Sequence, residues 1–375
     1  MCGGSETYPS SSCRPVLGTD TMPPRSGHSL TAAAVYKGAT GLHAYRRASA
    51  ETCAISLCDP RSFRAQCRIH HLGSAVLADV RSSSLRYLRS ARHVARGAYD
   101  HYQIVFNLSG EIHYRAGRRS AVVRPEDVII LDSAREIDAC VHAPDPGLAR
   151  VLTLFVPRAA LPPLLRAPGG GHLLLLNREA RLAQSARDHL GKMLETIERN
   201  AQAEMHAAAQ NLIRLLAGGL GRHRPLPAAG RRATHRSAAD SLERLIERRL
   251  GSAALSIGLL CAHCGCSRAT VYRLLEADGG PMRYIRQRRL QRAFRDLISA
   301  GASQRPLLEL ALRHRFASEA TFNRAFHRTF GMPPGETREI AARSRRAALA
   351  GGMALGSPPD GARVIEWIRT LGSGA

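Results

Sequence analysis

Residues 255–275 read LSIGLLCAHCGCSRATVYRLL, and residues 307–326 read LLELALRHRFASEATFNRAF. Each is a short apolar helix pattern, a break, and a second helix pattern, which is the arrangement of a helix-turn-helix. In the first stretch Ser256 and Ser267 stand where side-chain oxygens accept orphan N–H groups at helix starts. Gly265 falls where the tight turn needs positive φ. Leu260, Cys264, Val271 and Leu275 then point inward, leaving Arg268, Ala269, Tyr272 and Arg273 on an outer face suited to a DNA major groove. In the second stretch Leu310, Phe316, Phe322 and Phe326 make the core and Ser318 the cap, with Glu319, Ala320, Asn323 and Arg324 outward. Leu260 to Val271 is eleven positions and Leu310 to Phe322 is twelve, so the two turns differ by one residue.

Between the copies, Ile285, Leu290, Ala293, Phe294, Leu297 and Ile298 form one apolar stripe on an arginine-rich helix over 283–298. Such a helix holds two modules at a fixed separation. Alone, the basic run 283–295 reads equally well as a solvated face; flanked by two modules it reads as phosphate-facing.

The charge agrees. The chain has 375 residues, room for two domains, with 54 Lys+Arg against 30 Asp+Glu and a net charge of +24. Only Lys37 and Lys192 are lysines. Arginine makes bidentate contacts to phosphates and guanine edges, so a polyanionic partner is expected. Residues 231–346 hold 23 arginines and 10 acids, over half of the excess in under a third of the chain. The apolar fraction of 44% excludes wholesale disorder. The longest apolar runs, at 128–131 and 173–176, are far too short to span a bilayer. The start of the chain shows no basic segment followed by an apolar core, and the nine cysteines have no framework spacing. A reduced cytoplasm is expected.

Upstream, β-type runs appear at 103–108, 111–114, 121–123, 128–131 and 151–156, separated by turn signals such as Ser109-Gly110 and Pro125-Glu126-Asp127. They suggest an antiparallel sandwich or barrel. Leu182, Ala186, Leu190, Met193, Leu194 and Ile197 mark one following helix. Leu212, Ile213, Leu215 and Leu216 mark a second, which Gly218-Gly219 is expected to close.

The quoted stretches, with Gly280-Pro281-Met282-Arg283-Tyr284-Ile285, Arg289-Leu290-Gln291-Arg292-Ala293 and Phe330-Gly331-Met332-Pro333-Pro334-Gly335-Glu336-Thr337-Arg338, resemble the AraC/XylS family of transcription regulators over about 240–340. The resemblance implies two helix-turn-helix modules in successive major grooves of double-stranded DNA. By position it implies base reading by Ala269, Tyr272, Arg273, Glu319, Ala320, Asn323 and Arg324, and phosphate contacts from Ser267, Arg268, Arg286, Arg289, Arg315, Ser318 and Thr321. One departure stands out: the family usually has Gly before the Phe of the second turn, and this chain has Arg315. A non-Gly residue there costs on the order of 1 kcal/mol. Residues 60–220, with Phe63-Arg64-Ala65, 100–110 and 124–135, resemble the cupin-like sensor domain of the same family. That implies a small-molecule effector, a homodimer and RNA polymerase as partners, and a ligand-responsive activator of a catabolic or stress operon.

The sequence also permits other readings. Cys261, Cys264 and Cys266 with His263 have a spacing that permits a redox- or metal-responsive regulator, although Cys264 takes a small buried helix position. Cys53, Cys58 and Cys67 form a looser set. A metal cupin enzyme needs a His-x-His pair, where this chain offers only His113-Tyr114-Arg115, and His70-His71 reads as surface. Asp132 and Arg135 suit either a ligand or a turn.

The expectation is therefore an α+β multidomain protein: an N-terminal cupin-like antiparallel β-barrel with helices, then a C-terminal all-α tandem helix-turn-helix domain. Its expected parts are a disordered extension over 1–58, a sensing and dimerisation domain over 59–222, a linker over 223–237, a DNA-binding domain over 238–346 and a flexible tail over 347–375. The amphipathic run Val364-Ile365-Glu366-Trp367-Ile368 in that tail either docks on another surface or frays. No catalytic residue, cofactor, metal or membrane contact is expected, and the effector-binding residues are not assigned.

Overall fold

The computed structural model describes residues 31–57, 63–97, 101–117, 119–161, 172–199, 201–222, 231–299 and 305–350, together with Val364, Trp367, Ile368 and Leu371. The N-terminal half contains twelve described strands: β1 (Thr31–Lys37), β2 (Ala54–Leu57), β3 (Arg64–His71), β4 (Val76–Ser82), β5 (Leu85–Arg89), β6 (His101–Ser109), β7 (Glu111–Ala116), β8 (Arg119–Val123), β9 (Val128–Asp132), β10 (Ile137–His142), β11 (Ala149–Pro157) and β12 (Leu174–Leu176). Helix α1 (Gly38–Ser49) follows β1 and α2 (Ala91–Gly97) follows β5; α3 (Arg181–Glu198) and α4 (Gln202–Arg222) follow the strands.

All pairings are antiparallel. One sheet has the order β1-β3-β4-β11-β6-β9-β12 and the other β2-β5-β10-β7-β8. The seven-stranded sheet is covered on both faces, which explains the unbroken apolar run of β9. Ile104, Phe106, Val128 and Ile130 pack outward against Ala186, Leu190, Met193 and Leu212 of α3 and α4. Val105, Ile129 and Leu131 pack inward against Ile112, Tyr114 and Val141 of the other sheet. Strand period 2 thus feeds two cores from one segment. The β6–β7 turn needs Gly110: its φ is +86°, and a Cβ there would lie 2.5 Å from the His142 carbonyl oxygen.

The C-terminal half is helical: α5 (Arg231–Arg249), α6 (Ile257–Cys264), α7 (Arg268–Leu274), α8 (Pro281–Ile298), α9 (Leu307–Arg313), α10 (Glu319–Phe330) and α11 (Pro334–Ala350). Leu242 and Ile246 of α5, with Leu250 just after it, share a core with Leu260, Val271, Leu275 and Ile285. All six stripe residues of α8 are buried.

Several local expectations give way. Residues 31–57 were expected within a disordered extension but form β1, α1 and β2. The alanine-rich β1 has little hydrophobic signal of its own; its seven-residue register with β3 supplies the backbone bonds. Residues 1–30 lie outside the described residues. Residues 231–237 of the expected linker begin α5, and the rest of that linker lies outside the described residues. Gly218-Gly219 does not close its helix: α4 continues to Arg222, because Gly219 faces α3, where a Cβ would meet Leu182 Cδ1 at 2.3 Å. In the expected flexible tail, 347–350 finish α11, and Trp367, Ile368 and Leu371 are buried.

The two halves share contacts. Ala91, Val94 and Ala95 of α2, with Ala134, join one apolar cluster with Phe294, Leu297, Met332 and Ala341. Arg92 pairs with Glu336, and Arg119 with Glu243.

Candidate nucleic-acid interface and sensor cavity

The expected caps form. Ser256 Oγ accepts the N–H of Leu259 at 3.3 Å, Ser267 Oγ that of Thr270 at 3.3 Å, and Ser318 Oγ that of Thr321 at 3.2 Å. Gly265 adopts φ 58°, ψ 35°, which turns the chain from α6 into α7. The corresponding turn between α9 and α10 is made by Arg315 at φ 63°. Its strain is offset in part by a bond from Nε to the Gly251 carbonyl oxygen at 2.6 Å, tying the second module to the loop before the first. Behind α10, Phe322 lies 5.2 Å from Phe316 and 5.4 Å from Phe326, both edge-on, and Phe326 stacks on Phe294 at 5.9 Å. This aromatic core fixes the rotation of α10 about its axis.

With both recognition helices so held, Ala269, Tyr272, Arg273, Ala320 and Arg324 are exposed, while Glu319 and Asn323 are half-buried. Tyr272 is 46% exposed, so its ring and hydroxyl are open to a partner. Ser267, Arg268, Arg286 and Arg315 are exposed; Arg289, Ser318 and Thr321 are half-buried.

A groove of about 1030 Å³ runs between α8 and the second module, lined by Arg283, Arg286, Arg289, Arg315 and Arg328, with Thr321 and Ala317. No carboxylate is among its described lining residues. The resemblance singles out Arg286, Arg289 and Arg315; Arg283 and Arg328, which it does not single out, join them on the groove wall. The basic run 283–295 is divided by its surroundings. Arg288 is buried on Glu247, and Arg292 donates to the Glu247 carbonyl oxygen at 2.8 Å, so these two fasten α8 to α5. Arg289 bonds the Leu250 carbonyl oxygen at 3.1 Å while still lining the groove.

A second concavity, of about 280 Å³, lies between the two sheets. Its lining is largely apolar, with the Tyr45 and Tyr87 hydroxyls 3.0 Å apart and Gln103 on the wall. Arg89 is the only charged group among its described lining residues. Arg89 Nε donates to the Ser133 carbonyl oxygen at 3.2 Å and Nη1 to the Thr52 carbonyl oxygen at 2.7 Å. Burial raises the Tyr45 hydroxyl well above its ordinary range and the Cys67 thiol to about 12, so both are neutral near pH 7. Arg89 and Tyr87 carried no sequence signal, because β5 lacks a clean alternation.

Of the two readings left open for Asp132 and Arg135, Asp132 takes the turn-building one. Asp132 accepts from Arg158 and from the Ala134 N–H at 3.0 Å, and its own N–H donates to His172 Nδ1 at 3.1 Å, so it builds the turn after β9. Burial would raise its carboxyl, but Arg158, then Arg295, hold it down at about 2. Burial pushes the Arg135 guanidinium down, as does Arg288 across the interface. His70 is buried rather than on the surface, bonded to Thr31 Oγ1 at 3.0 Å. His113 is exposed and bonded to Glu111. Cys261, Cys264 and Cys266 are half-buried at the edge of the first module's core, and burial with the neighbouring Cys266 raises the Cys264 thiol, which disfavours the reactive thiolate. Cys58 lies outside the described residues. Among the described residues no group of three or more His, Cys, Asp or Glu could hold a metal ion, and no helix is long and apolar enough to cross a membrane.

Comparison with known proteins agrees with this geometry. Residues 260–340 match the model of a helix-turn-helix domain and residues 45–248 that of an AraC-binding-like domain, which alone covers more than half of the chain. The transcriptional activator NphR of a Rhodococcus species is 27% identical over 289 residues, 76% of this chain and 83% of that protein. Among solved structures, the AraC-like transcriptional activator CuxR is 21% identical, with 70% of this chain and 94% of that one covered and a TM-score of 0.44. ToxT from Vibrio cholerae, bound to an unsaturated fatty acid, is 14% identical, with 85% and 98% covered and a TM-score of 0.33. The chain belongs to the AraC family of DNA-binding transcription regulators, with an AraC-binding-like domain ahead of its tandem helix-turn-helix domain.

Proposed function

We propose that α7 and α10 enter successive major grooves on one face of double-stranded DNA, with the phosphate backbone between them lying in the arginine groove of α8. The observation that carries this reading is the groove itself: five arginines and no described carboxylate, between the second module and the helix that links it to the first. Ala269, Tyr272, Arg273, Glu319, Ala320, Asn323 and Arg324 read bases. Ser267, Arg268, Arg286, Arg289, Arg315, Ser318 and Thr321 contact phosphates, joined by Arg283 and Arg328 from the groove. Glu319 and Asn323 are half-buried, so their contacts need a close approach of α10. The cavity between the sheets is the effector site. It suits a small, largely apolar molecule with one hydrogen-bond acceptor for Arg89.

The protein acts in the cytoplasm as a homodimeric activator that engages RNA polymerase when the effector favours the DNA-competent arrangement. The resemblance to NphR supports the direction of regulation. No observation favours a catalytic role for the β-domain.

Selection of bound duplexes from a random DNA library at near-physiological salt tests the DNA reading. Two conserved blocks about one helical turn apart are expected. Binding without sequence enrichment that fades steeply with salt would reduce the interface to a basic surface on a polyanion. The effector reading is tested by a thermal-shift screen of small apolar acids and amides against the protein and its Arg89→Ala variant. Hits lost in the variant are expected.

A further inference from the structure

The cavity between the sheets is walled by residues from three parts of the chain: the strands, α1, and the C-terminus beyond the DNA-binding helices. Val364 and Ile368 are among its lining residues, alongside Ala32, Ile69 and Phe155. Trp367, Ile368 and Leu371 form an apolar cluster with Ala32 and Val76, and Ile69 and Phe155 pack at its edge. Val76 is fully buried and Ile368 1% exposed. The Trp367 ring meets His71 edge-on, with centroids 5.8 Å apart. The spacing 364, 367, 368, 371 is one face of a helix, so four apolar side chains reach the sheet from one short segment.

Removing this segment would leave Ala32, Ile69, Val76 and Phe155 without their apolar cover. Such a patch on β1, β3, β4 and β11 is unfavourable in water. The segment is also the covalent continuation of α11, the last helix of the DNA-binding half.

We propose that the C-terminal segment bearing Val364, Trp367, Ile368 and Leu371 is part of the effector site, where Val364 and Ile368 complete the cavity wall and limit the size of molecule it admits. This rests on the reading of the cavity as the effector site. A molecule larger than the cavity has to displace the segment, and thereby a piece of chain joined to the DNA-binding helices. A molecule that fits lies against both the strands and the segment that follows α11.

The chain contains a single tryptophan, Trp367, so its fluorescence reports the segment directly in the unmodified full-length protein. Its emission should be blue-shifted from that of free indole and shielded from acrylamide. The cavity-lining thiols Cys53 and Cys67 give a second readout, through their rate of alkylation by N-ethylmaleimide followed by peptide mass spectrometry. Ile368→Asp should shift Trp367 emission to the red and raise alkylation of Cys53 and Cys67 severalfold, with Cys264 in the first helix-turn-helix module unchanged.

Wild-type emission at the free-indole position would overturn the proposal. So would a shielded Trp367 whose release by Ile368→Asp leaves Cys53 and Cys67 as protected as before. Should Cys264 also become reactive in Ile368→Asp, the milder Ile368→Ala decides: a selective rise at Cys53 and Cys67 supports the proposal and its absence overturns it. Neither readout uses a ligand. Failure of the effector screen would therefore count against the effector reading alone.

Discussion

Arg119 at the start of β8 places its Nη2 2.9 Å from Oε1 and 3.0 Å from Oε2 of Glu243 on α5, joining the five-stranded sheet to the first helix of the DNA-binding half. Glu243 is 7% exposed. With Arg92–Glu336 and the α2 cluster, this pair sets how the halves sit against one another.

Because Glu243 is the buried partner, removing its cation leaves a charge with poor access to water. Arg119→Ala should destabilise the joined form by about 1–3 kcal/mol, the lower end because Arg119 itself is partly solvated. Thermal unfolding should separate into two transitions, and Glu243→Gln should have a smaller effect. A single unshifted transition in Arg119→Ala would show that the pair contributes nothing.

Arg315 combines an unfavourable φ of 63° with a bond to the Gly251 carbonyl oxygen. Two substitutions separate these effects. Arg315→Ala keeps the strain and loses the bond; Arg315→Gly loses both. The glycine variant should therefore be the more stable of the two by about 1 kcal/mol in urea unfolding. If the alanine variant is equally stable, the turn carries no strain worth the name.

Base readers and phosphate contacts should respond differently in DNA binding. Arg273→Ala or Arg324→Ala should cost about 1–3 kcal/mol and relax preference at one base position of the selected site. Arg283→Ala or Arg328→Ala should weaken all sequences alike and reduce the salt slope by about 1. Uniform weakening by Arg324→Ala would move that residue from the first class to the second.

Asp132 gives the β-domain an acid-sensitive point. Its folded-state value of about 2 lies below the ordinary 3.8, so its ionised form stabilises the fold. The contribution is fully present above about pH 4 and is lost as pH falls from there toward 2, with a size of at most about 2 kcal/mol. Asp132→Asn should lower stability at pH 7 and flatten the fall between pH 4 and pH 2, as read from urea midpoints across that range. An unchanged slope would assign the acid sensitivity to other carboxylates.

Much of the DNA-binding half was legible because its signals are local. Ser256, Ser267 and Ser318 cap helices that begin one residue later, Gly265 satisfies a φ requirement at its own position, and the α8 stripe repeats at helical spacing. The division of the α8 arginines was not legible. Arg286 and Arg288 are chemically identical in the sequence; only the position of Glu247 on α5 buries one and leaves the other in the groove. Likewise Gly219 reads as a helix end until Leu182 of α3 is found against it.

By itself the sequence determined the tandem helix-turn-helix pattern, the outward placement of Ala269, Tyr272, Arg273, Ala320 and Arg324, the β-character of the runs between 103 and 156 and the concentration of positive charge, because each depends on neighbours within a turn or a hairpin. Only the tertiary structure decided that β1 and α1 belong to the barrel, that Arg89, Tyr45 and Gln103 meet around one cavity, and that Val364 and Ile368 close its wall. Those facts rest on contacts between residues tens to hundreds of positions apart. Such contacts are set by how apolar faces cover one another, and no local pattern records which face will be the partner.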